Sequence, residues 1–300
     1  MDLLINILEQ GLIFSIVAIG VYITYRILDF PDLSVDGTFP LGAAVAAICL
    51  IQGINPFAAS AAAFAAGCLG GAITGLLHVK LKINNLLSGI LVMIGLYSIN
   101  LRVMTKSNIP LFGETTVFSG SITPLITIVI SSFVVKMALD FFLKTKLGFI
   151  LKATGNNEQL VTMLGVNKDN MKVLGLIIAN GLVALSGGLM AQYQGFSDVG
   201  MGTGIVVTGL AAVTIGDALF KKASFIKPTT MVVLGAIIYK AAIAVALEMG
   251  LPATDLKLIT AIIVVIALSF NNKNFIINTK KRLDLGGEAH AKNKESLQSI

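Results

Sequence analysis

The sequence predicts an all-α, polytopic membrane protein with about nine transmembrane helices in two halves of inverted topology. Of its 300 residues, 55% are hydrophobic and only 13% are charged, and its mean hydropathy is +0.87. A soluble domain of this length needs far more charge to cover its surface. Long apolar runs recur along the chain, and two similar polar segments interrupt them. The soluble alternative would require many helices without a polar face.

Apolar runs of helical length give the order of the predicted spans. They cover residues 11–28, 38–52, 56–77, 85–104, 124–143, 173–194, 205–220, 229–247 and 256–271. Since a bilayer core requires about 20 residues, the shorter runs are expected to be tilted or broken helices. Gly and Ala are abundant in several runs, which predicts closely packed helices.

Basic residues give the orientation. They concentrate in the segments 78–82, 144–172 and 221–227 and in the tail from Lys273. Because cytoplasmic loops are enriched in Lys and Arg, nine spans place the N-terminus outside and the C-terminus inside. The net charge of +6 therefore suits membrane orientation better than nucleic-acid binding.

One transmembrane domain is expected over residues 1–271, followed by a polar cytoplasmic tail at 272–300. The N-terminus lacks the basic region and cleavage site of a secretory signal. Cys49 and Cys68 lie within apolar runs, so they are expected to be packing residues rather than a disulfide.

The two polar segments, "FPDLSVDGTF" at 30–39 and "FSDVGMGTGI" at 196–205, form an internal repeat. Corresponding positions are Phe30 with Phe196, Asp32 with Asp198, Leu33 with Val199 and Val35 with Met201. Each copy follows one apolar span and precedes a short Gly- and Ala-rich one. The topology puts them on opposite sides, as in inverted-repeat transporters. The alternative is a chance likeness between two helix-to-helix turns.

The first polar segment predicts a helix break. Pro31 removes a backbone donor, and Gly37 permits a sharp turn. The aspartates of this segment are then expected to accept bonds from freed N–H groups rather than to bind solute. The topology places the break toward the cytoplasm, whereas a break nearer the midplane would make Asp32 a pathway residue.

The loop 144–172 predicts a short helix outside the membrane, within 156–165. Leu160, Met163 and Leu164 have helical spacing, Asn156 or Asn157 is able to cap the start, and Gly165 is able to end it. One interpretation is a helix lying on lipid headgroups. The other is a docking helix for a cytoplasmic partner.

Residues 150–195, "ILKATGNNEQLVTMLGVNKDNMKVLGLIIANGLVALSGGLMAQYQG", resemble the coupling-loop region of ATP-binding-cassette importer permeases for branched-chain amino acids and ribose. Matching positions are Lys152, Ala153, Gly155, Asn157, Gly165, Val166 and Asn167. The chain departs at Leu160 or Val161, where a small residue is common. "DLSVDGTFPLGAAVAA" and "GLAAVTIGDALF" resemble two other family segments, with Asp217 in place of the usual Glu. The resemblance covers about 30–270 and is greatest to a subgroup whose members are either poorly characterised or associated with aromatic amino-acid uptake.

The resemblance implies a permease with two inverted halves that works as a homodimer in the plasma membrane, surrounded by lipid. It also implies two cytoplasmic ATPase subunits and an external solute-binding protein as partners. The residues expected to couple to the ATPase are Gly155, Asn156, Asn157, Glu158, Leu164 and Gly165.

Motifs for covalent or cofactor chemistry are missing from the sequence. It contains no G-x-x-x-x-G-K-[ST], HExxH or CxxC, and His78 and His290 are far apart. We therefore expect no enzymatic activity, no cofactor and no metal site in this chain, and ATP hydrolysis by a separate subunit.

Polar residues within spans are costly and need a reason. Lys240 is expected either to face the pathway, meeting a solute carboxylate or Asp32 or Asp198, or to be a structural lysine. Lys136 and Asp140 are expected to pair on one helix, and Asn180 to bond between helices. The expected pathway residues are Asp32, Asp36, Tyr193, Gln194, Asp198 and Lys240.

Three functions remain open at this point. The first is the permease subunit of an ATP-driven importer that moves a small solute by alternating access. The solute is expected to be an amino acid, and the subgroup resemblance points to an aromatic one. The second is an ion-coupled secondary transporter that uses Asp32, Asp36 and Lys240. The third is a structural membrane protein without a pathway, which the docking-type loop and the repeat argue against.

Overall fold

The computed structural model describes residues 2–120, 123–220, 225–250, 252, 255 and 258–267. Its elements are α1 (Asp2–Val21) with a π-helical turn (Tyr22–Ile27), α2 (Val35–Ile51), α3 (Pro56–Leu81), α4 (Asn85–Met104), β1 (Asn108–Pro110), α5 (Pro124–Phe142), α6 (Lys146–Asn156), α7 (Glu158–Met163), α8 (Lys168–Gln194), β2 (Phe196–Asp198), a 3-10 turn (Val199–Gly202), α9 (Ile205–Phe220), α10 (Pro228–Glu248) and α11 (Leu258–Ala267). The predicted all-α membrane class is confirmed. β1 and β2 form only a small antiparallel pair.

Within the described residues, seven helices are long and apolar enough to cross a membrane, and α2 and α11 are shorter apolar helices. The count of nine spans is therefore not confirmed. The first span begins earlier than its predicted limits of 11–28, because α1 starts at Asp2. The predicted tail at 272–300 lies outside the described residues.

Helix α8 packs against α2 and α3 through small residues. A methyl group added at Gly42 would collide with the Ala184 carbonyl, and one at Gly71 would collide with the Leu176 carbonyl. Gly67 likewise lies directly against α8. Backbones approach this closely only where side chains are minimal, so the abundant Gly and Ala produce the tight packing that the sequence predicts.

The direction of the helices fits inverted halves. The Ser186 hydroxyl of α8 donates to the Ile13 carbonyl of α1 at 2.8 Å, and Gly20 of α1 lies against Ala179. Residue numbers thus rise along α1 while they fall along α8, and the two helices are antiparallel. Since α1 and α8 each precede one copy of the repeat, their opposite directions agree with the predicted inversion.

The two helices that follow the repeats start from one point. The carboxylate of Asp36 in α2 accepts hydrogen bonds from the N–H groups of Gly204 (2.9 Å) and Val206 (2.8 Å) at the start of α9. From there α2 extends toward the C-terminal end of α8, where Ala47 and Leu50 of α2 belong to one buried cluster with Ala191 of α8. Helix α9 runs the other way, to where Asp217 lies 3.6 Å from Arg26.

The predicted helix break is present at residues 28–34, but its sharp turn is not at Gly37. Asp29 has the left-handed backbone conformation, with φ of 52°. Gly37 lies inside α2, where an added methyl group would be 3.0 Å from Met93 Cα. Gly37 therefore serves a close contact between α2 and α4, and Asp29 makes the turn.

Candidate coupling surface and solute groove

The short helix predicted within 156–165 is confirmed as α7. The Asn157 side chain caps it by accepting the Leu160 N–H at 3.1 Å. Gly165 follows its end with φ of 73°, a conformation that glycine adopts without strain. The predicted start and stop signals are thus both present. Asn157 rather than Asn156 caps the start of α7, and Gly165 ends the helix.

Helix α7 presents apolar side chains to the surroundings. Leu160, Met163 and Leu164 have relative exposures of 47%, 83% and 59%, whereas Val161 on the other side is fully buried. A short helix anchored by one buried residue and bearing exposed apolar residues has the character of a helix that fits a partner's groove.

Glu158 ties α7 to α8. Its two carboxylate oxygens lie 2.5 Å from the ammonium groups of Lys168 and Lys172. Hydrogen bonds from these two lysines lower the pKa of Glu158 to about 2. The carboxylate is therefore charged at neutral pH and connects the exposed helix to the base of a long membrane helix.

Gly155 ties α6 to α1. A methyl group at Gly155 would collide with the Ile27 carbonyl in the π-helical turn at the end of α1. Gly155 therefore faces the bundle rather than a partner. Among the other predicted coupling residues, Asn156, Asn157, Leu164 and Gly165 are exposed, and Glu158 is partly exposed. Three residues of this surface, Lys168, Lys172 and Ile27, have no local sequence pattern that marks them for these contacts.

Asp32 is buried in a hydrogen-bond network. Its carboxylate accepts the Ser34 N–H (2.8 Å), the Ser34 hydroxyl (2.6 Å) and the Asn180 amide (2.7 Å), and its relative exposure is 4%. The Asn180 carbonyl oxygen also accepts the Thr38 hydroxyl at 2.8 Å. Asn180 lies near the middle of α8, so the chain after the helix break comes back to the level of the middle of α8. The predicted hydrogen bonding of Asn180 between helices is confirmed.

The other two predicted aspartates also accept backbone N–H groups. Asp36 bonds to the start of α9, as described above. Asp198 accepts the Gly200 N–H at 2.7 Å and the Asn108 amide at 3.2 Å. The expectation that the aspartates of the first polar segment satisfy freed N–H groups is confirmed for Asp32 and Asp36. A place for them in a solute pathway stays a prediction.

A groove of about 590 Å³ lies between α1 and α10. Its residues lie at helical spacing along the facing sides of both helices, and they reach the N-terminal end of α1 and the C-terminal end of α10. They are Leu3, Asn6, Ile7, Gln10, Lys240, Ile243, Ala244, Leu247 and Glu248.

Lys240 lies at the inner end of this groove. Its Nζ is 3.6 Å from the centre of the Phe14 ring, a cation–π contact. Among the described residues it has no carboxylate within 4.0 Å, and Asp32 and Asp198, suggested as partners from the sequence, bond elsewhere. Lys136, in contrast, pairs with Asp140 at 3.2 Å as predicted.

Tyr193 contacts the wall of the groove. Its hydroxyl donates to Glu9 (2.8 Å) and lies 3.0 Å from the Asn6 side-chain oxygen. Gln194 is exposed at the end of α8. Two of the predicted pathway residues, Lys240 and Tyr193, are thus joined to one groove, and the aspartates are not among its lining residues.

Residues 3–269 match the family described as the branched-chain amino acid transport system permease component. A tyrosine transport system permease protein of Clostridioides difficile is 52% identical over 278 residues, which cover 93% of this chain and 94% of that one. An uncharacterized protein of Rickettsia prowazekii is 38% identical over 90% of this chain and 98% of its own. The ribose import permease of Escherichia coli is 28% identical over 71% of this chain and 68% of its own.

No solved structure matches the chain significantly. The family match covers the bundle, the α6–α7 segment and the groove alike. The apolar helices and this match agree on a multi-pass protein of the plasma membrane. The chain belongs to the branched-chain amino acid transport system permease family, and it is the permease component of an ATP-binding-cassette transport system.

Proposed function

We propose that this permease imports an aromatic amino acid, with tyrosine as the first candidate, and that ATPase subunits drive it through α7. The observation that carries the coupling proposal is the construction of α7, which exposes Met163 and Leu164 while Glu158 ties it to α8. The solute proposal rests on the 52% identical relative whose name specifies tyrosine.

The proposed mechanism is alternating access in a homodimer with two ATPase subunits. ATP acts because it binds one conformation of the assembly more tightly than the other, and that difference shifts the equilibrium. Movement of a docked ATPase subunit would pull on α8 through Glu158 and on α1 through the Gly155–Ile27 contact. Since α1 forms one wall of the groove, the ATPase is mechanically joined to the solute path.

The outer part of the proposed path consists of the groove with Lys240, together with Tyr193 and Gln194 near the end of α8. An external solute-binding protein would deliver the amino acid to this side. Asp32, Asp36 and Asp198 would support the path by holding the broken helices in place, because their carboxylates bond to the chain itself.

The coupling proposal is tested with variants of α7. Met163→Glu places a charge on the exposed apolar surface. Gly165→Pro cannot adopt the positive φ at the end of the helix. We expect each to reduce ATPase co-purification and uptake at least tenfold. Phe112→Glu is the control, because Phe112 is 84% exposed and lies beside Gly195 at the opposite end of α8.

Unchanged co-purification and uptake in both α7 variants would refute docking at this helix. Amino-acid uptake by proteoliposomes that contain the permease without any ATPase would instead support the ion-coupled alternative. Uptake of tyrosine by the complete transporter, competed by excess unlabelled tyrosine, tests the solute separately.

A further inference from the structure

We propose that Lys240 at the inner end of the groove is the binding site for the carboxylate of the transported amino acid. This inference rests on the proposed import of an aromatic amino acid and assigns a specific contact to it. Phe14 holds the lysine ammonium in place, and the walls of α1 and α10 contact the rest of the solute.

The position of Lys240 requires a functional explanation. It lies eight residues before Glu248, at the end of α10, which corresponds to about 12 Å along the helix. A charged side chain at that depth in an apolar helix is costly and commonly marks a substrate path. Its ammonium contacts the Phe14 ring of α1 instead of extending to the membrane surface.

The ammonium group of Lys240 keeps N–H donors that are free to bind an anion. A lysine ammonium carries three donors, and the ring face occupies one side of it. Lys240 forms no ion pair with a carboxylate among the described residues, and Glu248 is too far along the same helix to form one. A carboxylate that enters this apolar surrounding would make a strong, charge-assisted hydrogen bond.

The groove walls fit an amino acid with an apolar or aromatic side chain. Ile7, Ile243 and Leu247 supply aliphatic surface, while Asn6 and Gln10 supply amide groups for an amine or a hydroxyl. The volume of about 590 Å³ is within the range of about 300–1,000 Å³ for small-molecule sites. A lipid phosphate is a poorer match, because headgroups lie at the surface, well above Lys240.

A cysteine-protection assay tests the site without requiring transport. Ala244→Cys places a thiol one helical turn from Lys240, in a background with Cys49 and Cys68 replaced by alanine. We expect millimolar tyrosine, in membranes with the complete transporter, to slow maleimide labelling at least threefold. Tyrosinamide, which lacks the carboxylate, should not. Phe112→Cys, in an exposed loop, is the control position.

Lys240→Met should abolish the protection by tyrosine, and Lys240→Arg should keep it, because only the arginine retains the charge. In transport, Lys240→Met should reduce tyrosine uptake at least tenfold with unchanged ATPase co-purification. Equal protection by tyrosine and tyrosinamide, or full protection in Lys240→Met, would overturn the carboxylate site. Protection without tyrosine uptake by the unmodified transporter would leave the site intact and refute the proposed function.

Discussion

Asp36 and Val206 lie 170 residues apart in the sequence, and a hydrogen bond of 2.8 Å joins them. The bond connects the first turn of α2 to the first turn of α9, the helices that continue from the two repeated segments. Helix starts leave N–H groups without intrahelical partners, and here one half of the protein supplies the acceptor for the other. A single carboxylate thus joins the starts of two helices that belong to different halves.

Replacement of this carboxylate should weaken the whole bundle. Asp36→Ala leaves the N–H groups of Gly204 and Val206 without their acceptor, at a cost of about 1–3 kcal/mol in the free energy of unfolding. Asp36→Asn keeps one acceptor oxygen and should cost less. Denaturant titration in detergent measures both, and an equal loss in the two variants would contradict the explanation.

Asn180 is expected to be equally sensitive. Asn180→Leu removes the amide group that donates to Asp32 and the carbonyl oxygen that accepts the Thr38 hydroxyl. The buried Asp32 carboxylate is then left with fewer hydrogen-bond partners. We expect a loss of about 1–3 kcal/mol in the free energy of unfolding. Asn108→Leu is the exposed control and should change stability by less than about 0.5 kcal/mol. Similar losses in both would argue against the network.

The pH dependence of α7 follows from Glu158. Its folded-state pKa, about 2, is below the ordinary value of 4.5, so its stabilising effect is complete above about pH 4.5. That effect is lost as the pH falls toward 2. Amide hydrogen exchange of residues 158–165, compared between the unmodified protein and Glu158→Gln, should show a constant difference from pH 5 to 8. The difference should shrink at lower pH, and one that vanished already at pH 6 would disprove the ion-pair account.

The glycines of the helix contacts give a matched pair of variants. Gly42→Ala drives a methyl group into the Ala184 carbonyl, so α2 and α8 must separate. Gly95→Ala places the same methyl group where nothing lies within 4 Å. We expect Gly42→Ala to lower the free energy of unfolding by about 1–3 kcal/mol and Gly95→Ala to leave it equal or slightly higher. The reverse order would contradict the packing described above.

Much of the fold is predictable because membranes allow few solutions. A long apolar run has to become a helix, since only a helix satisfies its backbone without water. The limits of α7 are likewise predictable, because the Asn157 side chain accepts an N–H only three residues away and Gly165 needs only its own positive φ. The bonding of Asp32 to the backbone is predictable in the same way, because the neighbouring Pro31 predicts a helix break and a helix break frees N–H groups nearby.

The remaining features depend on partners distant in the sequence. The contact of Lys240 with Phe14 joins α10 to α1, and the bond of Glu158 to Lys172 joins a loop to a span. No local pattern contains either pair. The conformational freedom of Gly37 predicts the turn there, whereas the structure uses Gly37 for the close contact with Met93. The π-helical turn at the end of α1 has no signature in its residues.

The glycine contacts of α8 also bear on how this transporter can change during evolution. Gly42, Gly67 and Gly71 lie against α8 so closely that any side chain there displaces a helix. Variation in solute preference must therefore arise elsewhere. The α1–α10 groove has walls of Asn, Gln, Ile and Leu, whose exchange for one another leaves the backbones in place. A library intended to redirect the transporter to a new solute should diversify Asn6, Gln10 and Ile243 and keep those glycines fixed.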